Sequence, residues 1–206
     1  MESKEIEKQK KMTYKELTDY LLEKYGNVPY NYFCNESCKS KNHKNSRSKE
    51  GLIIHHIDED KAIMLATPRV ALRNPYEYQN ANRLLYCNYI EHLILHIKIA
   101  EEPRHKCANE RELPGIGGAV NFIVPELNDY YMGFKYQQEW RINAFELVKE
   151  NYKDYIELLR YLWKIVQSNE KYSNMFNLDK LSKGYGTTIY KEIKKQVKWN
   201  IRLVFK

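Results

Sequence analysis

Residues 52–60 read LIIHHIDED and residues 82–100 read NRLLYCNYIEHLILHIKIA, and four of the six histidines fall in these two stretches. An imidazole is costly to bury without partners, and its useful chemistry is metal ligation or proton transfer near neutral pH. A strand that ends in His55-His56 turns the two rings to opposite sides, so one can ligate while the other stands free. His92 and His96 are four residues apart, which stacks them on one face of a helix. If that face packs against the strand end, His92, His96 and one histidine of the strand pair converge on one divalent ion and leave positions for water and a substrate oxygen. The other histidine of the pair, with an ordinary pKa of about 6.5, is then close enough to take a proton from an attacking water.

The flanking sequence supplies elements that can position these rings. Asn88 with Glu91 three residues later is a capping box, opening a helix that runs through Ala100 before Pro103 ends it. GLIIHHI, bounded by Gly51 and an acidic turn, reads as a strand, and Arg83–Tyr86 as a second. The connection between them carries Pro68 and Pro75 and a short helix near Arg69–Arg73. Upstream, Thr13 and Glu16 form another capping box, opening a helix with Tyr14, Leu17, Leu21 and Tyr25 on one face until Gly26 stops it. Downstream, LPGIGGAVNFIVPELN is punctuated by Gly and Pro; its GIGG lacks the lysine and preceding strand of a phosphate loop and reads as a turn. Residues 137–167 predict two packed helices, interrupted near Asn151. In residues 187–205, Ile189, Ile193, Val197 and Ile201 alternate with lysines and predict a basic amphipathic helix. The expected fold class is α+β and mostly helical, with a small ββα core. Its expected divisions are 1–50 (N-terminal helix and basic loop), 51–105 (ββα metal motif) and 106–206 (helical region packed on the same core).

This order, His-His at a strand end, then Asn, then His-x3-His on a helix, resembles the HNH (ββα-metal) endonucleases, among them the colicin DNases and phage or mobile-element HNH proteins. The matching stretch is roughly residues 51–100. The resemblance implies a metal-dependent nuclease that hydrolyses phosphodiester bonds in DNA and leaves 5′ phosphate and 3′ hydroxyl ends. It assigns His55, His92 and His96 as metal ligands, His56 as the general base and Asn82 as the residue that orients the base. Asn82 lies about one residue further from His92 than the commonest family pattern, and Asn80 is the neighbouring alternative. One divalent ion is implied, Mg²⁺ first, with Mn²⁺, Ni²⁺ or Zn²⁺ as alternatives. A non-catalytic DNA-binding or regulatory protein is the competing reading, with a structural zinc closed by a fourth ligand such as Cys87 or His56.

Charge distribution points to the same partner. The chain carries a net +7, of which +3 lies in residues 1–50 and +7 in residues 180–206, while 51–179 sum to −3. Lys39, Lys41, Lys44, Arg47 and Lys49 form a run without an acid, and Lys191, Lys194, Lys195 and Lys198 line the C-terminal segment; both sets are expected to contact DNA phosphates. Tyr30, Tyr32 and Phe33, beside the first run, are candidates for base stacking. Four cysteines do not make a disulfide framework and are read as free thiols. The charged start MESKEIEKQKK is not a signal peptide, and no stretch is apolar enough to span a bilayer, so a soluble, cytoplasmic protein without membrane contact is expected. A homodimer is left open.

Overall fold

The computed structural model describes residues 3–102 and 114–167. They form a mostly helical α+β fold around one two-stranded antiparallel sheet. Two helices open the chain, α1 (Ser3–Lys10) and α2 (Tyr14–Tyr25). The Thr13 capping box is made in full: the Thr13 N–H donates to Glu16 Oε2 at 2.8 Å and the Glu16 N–H donates to Thr13 Oγ1 at 3.2 Å. Gly26, at φ 77°, terminates α2 in a conformation that favours glycine. Helix α1 was not foreshadowed, because SKEIEKQK offers one apolar residue; Ile6 and Gln9 are nevertheless buried.

Strand β1 (Ile53–His56) pairs with β2 (Leu84–Cys87), with Ile53 opposite Cys87, Ile54 opposite Tyr86, His55 opposite Leu85 and His56 opposite Leu84. The connection holds 3₁₀ turns and the short α3 (Pro68–Ala71). Strand alternation gives the sheet two buried faces. Leu85 and Cys87 face the main core, while Leu84, Tyr86 and Ile54 join Val28 and Leu52 in a second cluster on the other side. Helix α4 (Tyr89–Glu101) follows β2 directly and is buried on nearly all sides. Its Asn88 cap accepts from the Ile90 and Glu91 N–H groups at 2.9 Å, and the Glu91 carboxylate accepts from the Asn88 N–H at 2.9 Å. Glu91 is fully buried and also takes Lys24 at 2.7 Å, so the cap ties α4 to α2.

The Gly/Pro segment departs from expectation. In place of a turn, α5 (Ile116–Gly118) continues through a π-helical turn (Ala119–Ile123) into α6 (Val124–Tyr131) and packs along α4. Helices α7 (Glu139–Glu146) and α8 (Tyr152–Gln167) are separated by a 3₁₀ turn at Lys149–Asn151, as the interruption near Asn151 predicted. Phe145, Ile156 and Leu159 enter the core, whereas Trp140 remains 41% exposed. One core cluster runs from Ile6 to Val166, joining α1, α2, β2 and α4 to the later helices. Cys34, Cys38 and Cys87 are free thiols. Among the described residues no helix is long and apolar enough to cross a membrane.

Candidate metal centre

Strand alternation sends the His55 ring toward α2 and α4 and the His56 ring to the opposite face. The Tyr14 hydroxyl donates to the Ile57 carbonyl at 2.8 Å and lies 2.9 Å from His55 Nε2. Its one proton is committed to that carbonyl, so His55 must donate its own Nε2–H to the Tyr14 oxygen. The lone pair of His55 is therefore on Nδ1, a fully buried atom with no hydrogen-bond partner. On α4, His96 Nδ1 lies 3.0 Å from the Gly115 carbonyl, which can only accept. That contact places the His96 proton on Nδ1 and its lone pair on Nε2, 3.2 Å from His92 Nε2.

A fourth donor joins them. Glu59 Oε2 lies 3.3 Å from His96 Nε2 and 3.7 Å from His55 Nδ1. One donor atom from each of His55, Glu59, His92 and His96 falls within 4.8 Å of the others. Glu59 stands on a 3₁₀ turn (Ile57–Asp60), and the neighbouring Asp58 anchors that turn by accepting from Arg83 Nε at 2.6 Å and Arg83 Nη2 at 2.5 Å. Burial opposes the Asp58 charge, but the bonds from Arg83 and Lys61 outweigh it and hold the carboxyl below its ordinary range.

The GIGG segment also belongs to this centre. A Cβ on Gly118 would stand 2.2 Å from His96 Cε1, and one on Gly115 would stand 2.4 Å from the His96 carbonyl oxygen. Only bare backbone at both positions lets α5 close on α4, and φ 78° at Gly115 aims its carbonyl at the ring. The reading as a turn missed this role because the partner lies on another helix.

The donor set fits a cation. Burial, followed by mutual repulsion with the other imidazoles, pushes the His55 and His92 pKa values well below the ordinary 6.5. Ligation requires neutral imidazoles, and the contacts from Tyr14 and Gly115 set the tautomers of His55 and His96 with a lone pair toward Glu59. These four side chains can hold a metal ion. The three histidines read from the sequence are brought together; Glu59 was overlooked as a ligand, although it follows His55 by four residues. Cys87, considered as a closing ligand, is buried in the core and stands outside this group.

His56 occupies a different environment. It is 1% exposed, its Nε2 lies 3.0 Å from Gln79 Oε1, and the Tyr32 ring packs against it at 4.5 Å between centroids. Gln79 Nε2 donates to the Leu65 carbonyl at 3.3 Å, which fixes the amide oxygen toward His56. His56 thus donates from Nε2, leaving the lone pair on Nδ1. Burial lowers its pKa, against the opposing pull of Glu59 and the Gln79 bond, so it is neutral at pH 7. Asn82 is exposed on a 3₁₀ turn (Ala81–Arg83) and makes no hydrogen bond to His56; the side chain hydrogen-bonded to His56 is that of Gln79. The connection between the strands shows no periodicity that could have singled Gln79 out.

Of the basic run, Lys39, Lys41, Lys44 and Lys49 are exposed. Arg47 is turned inward: it donates to the Tyr25 carbonyl at 2.5 Å and pairs with Glu50 at 2.5 Å, so it serves the fold. Phe33 is likewise buried, which removes it as a stacking candidate. Lys191, Lys194, Lys195, Lys198 and the amphipathic segment around them lie outside the described residues. Comparison with protein-family models, curated proteins and solved structures gives no match to this chain.

Proposed function

We propose that this chain is a metal-dependent endonuclease of the HNH type, acting on phosphodiester bonds in DNA. The observation that carries the reading is the convergence of one strand-end histidine and two helix histidines on a common point, with the adjacent His56 turned to the other face and held neutral. That is the arrangement the resemblance requires, in the element order strand, strand, helix.

His55, Glu59, His92 and His96 would hold the ion. When bound, a divalent cation supplies charge to polarise the scissile phosphate and stabilise the leaving oxygen. Mg²⁺ was expected first, but three imidazoles with one carboxylate suit Zn²⁺, Ni²⁺ or Mn²⁺ better than an ion that prefers oxygen ligands. The chain's own contribution is proton transfer. Gln79 fixes the His56 tautomer, His56 Nδ1 accepts a proton from water, and the exposed lysines of residues 39–49 attract the phosphate backbone.

A second reading is favoured by two observations: four protein donors surround the centre, and His56 is almost inaccessible. Those features suit a structural metal centre in a non-catalytic DNA-binding protein. Incubation with supercoiled plasmid, with EDTA and with Mg²⁺, Mn²⁺, Ni²⁺ or Zn²⁺ in turn, separates the two. Metal-dependent nicking or linearisation that falls about 10²- to 10⁴-fold in His56→Ala, with metal binding retained, is the result expected of the nuclease. Metal binding with no cleavage under any ion would leave the structural reading.

A further inference from the structure

The loop that carries the basic run is built more firmly than a solvated loop needs to be. Asn45 is 1% exposed, and its side chain clamps the segment opposite: Oδ1 accepts from the Tyr30 N–H at 3.1 Å, and Nδ2 donates to the Tyr30 and Asn31 carbonyls at 2.8 and 3.1 Å. The Asn45 carbonyl accepts from the Tyr86 hydroxyl at 2.8 Å, which fastens the clamp to β2. The Asn42 N–H donates to the Tyr32 carbonyl at 2.7 Å, and the Tyr32 N–H donates to Gln79 at 2.8 Å.

What this rigid loop displays is aromatic and cationic. Tyr30 is 48% exposed, with Lys44 Nζ 5.6 Å from the centre of its ring. Lys41 Nζ stands 5.2 Å from the centre of Tyr32, whose ring also packs against His56 and Phe33. The ion pairs of the described residues leave out both Lys41 and Lys44. Two aromatic rings with an ammonium over each, held by buried backbone contacts and continuous with the His56 side of the sheet, match a chain of negative charges interleaved with flat π surfaces.

We propose that Tyr30, Lys41 and Lys44 form a platform for an unstacked DNA strand, with a nucleobase on the Tyr30 ring and phosphates at the two ammonium groups. A base inside a duplex has both faces covered, so the ring selects single-stranded or frayed DNA over intact duplex. The assignment rests on the nuclease reading for its place in a reaction, but strand binding itself needs no metal. It is therefore testable in EDTA, where no cleavage can occur.

The experiment is fluorescence anisotropy of the full chain with three labelled probes of equal length: a single-stranded deoxyoligonucleotide, its duplex, and an abasic strand. The single strand should bind tightest. Tyr30→Ala should weaken it by about 5- to 100-fold and Tyr30→Phe should restore it, while the abasic strand responds to neither. Lys41→Gln with Lys44→Gln should lower the slope of log affinity against log salt by about 1.4, from about 0.7 per lost contact. The Asn45 clamp engages the backbone of Tyr30 and Asn31 and not the Tyr30 side chain, so these variants keep the loop. The proposal is overturned if Tyr30→Ala binds the strand like the wild type, if the abasic strand or the duplex binds equally well, or if no strand binding is found. Intact strand binding in a protein that never cuts plasmid would sink the nuclease reading and leave this platform standing.

Discussion

Replacing Tyr14 by Phe removes one oxygen, and the structure assigns that oxygen two jobs. It donates to the Ile57 carbonyl at 2.8 Å, and it accepts the Nε2–H of His55 at 2.9 Å. The ring stays in place, since Tyr14 is 5% exposed and the phenyl group keeps its edge contact with the His55 ring. In Tyr14→Phe the His55 proton loses its buried acceptor and the tautomer with a lone pair on Nδ1 is no longer enforced. Loss of such an outer contact lowers metal affinity by about 10- to 100-fold, or about 1.4 to 2.7 kcal/mol. The unsatisfied N–H and carbonyl add a stability cost of about 1 to 3 kcal/mol in the metal-free protein. Competition for Zn²⁺ against a chromophoric chelator reads the first quantity and a thermal melt in EDTA reads the second. A lower melting temperature with unchanged Zn²⁺ affinity would refute the reasoning, because Tyr14 would then be a packing residue and His55 Nδ1 would not be a ligand atom.

Three other outcomes follow from the same geometry. On the nuclease proposal, Gln79→Leu should lower plasmid cleavage at least tenfold while Asn82→Ala stays near wild type, since Gln79 and not Asn82 is hydrogen-bonded to His56; a large loss in Asn82→Ala alone would restore the asparagine to the role first expected for it. Gly118→Ala should weaken Zn²⁺ binding, because its Cβ would occupy the space of the His96 ring, and calorimetry showing wild-type affinity would argue against His96 as a ligand. The pH dependence of stability has a definite sign. His55, His56 and His92 are all held below the ordinary 6.5, so the unfolded chain binds more protons than the native one between 6.5 and the lowered native values. The metal-free protein should therefore be most stable above pH 6.5 and lose up to about 1.4 kcal/mol per histidine for each pH unit below it. Denaturant titrations from pH 7.5 to 5 check this, and a flat profile would mean these rings are protonated as readily folded as unfolded.

What could be read from the sequence was what neighbouring residues decide. Capping boxes at Thr13 and Asn88 announce helix starts because a cap is a contact across three residues. The division of His55 from His56 follows from strand alternation, and the pairing of His92 with His96 from one helical turn. The residues that escaped notice act across the chain. Glu59 is brought to His96 by a turn that Arg83 anchors through Asp58, so its role depends on an ion pair between the two ends of the inter-strand connection. Gln79 reaches His56 from the later part of that connection, where neither helical nor strand periodicity marks a facing residue.

Absent side chains were the hardest to read. Gly115 and Gly118 looked like punctuation because glycine is common in turns, yet here it permits one helix to approach another at the ring of His96. Arg47 misled in the opposite direction: it sits in a run of five cations, but its guanidinium caps the Tyr25 carbonyl at the end of α2 and pairs with Glu50. Charge runs predict where a solvated face lies without telling which member is turned inward, because that is settled by the nearest unsatisfied acceptor. The ligand types of a metal centre are thus local information, whereas the groups that fix their tautomers and aim are distributed over α2, α5 and the inter-strand turn. For this chain the distributed contacts carry most of the chemical argument, since the His55 lone pair is placed on Nδ1 by a hydroxyl on a helix that the histidine motif does not include.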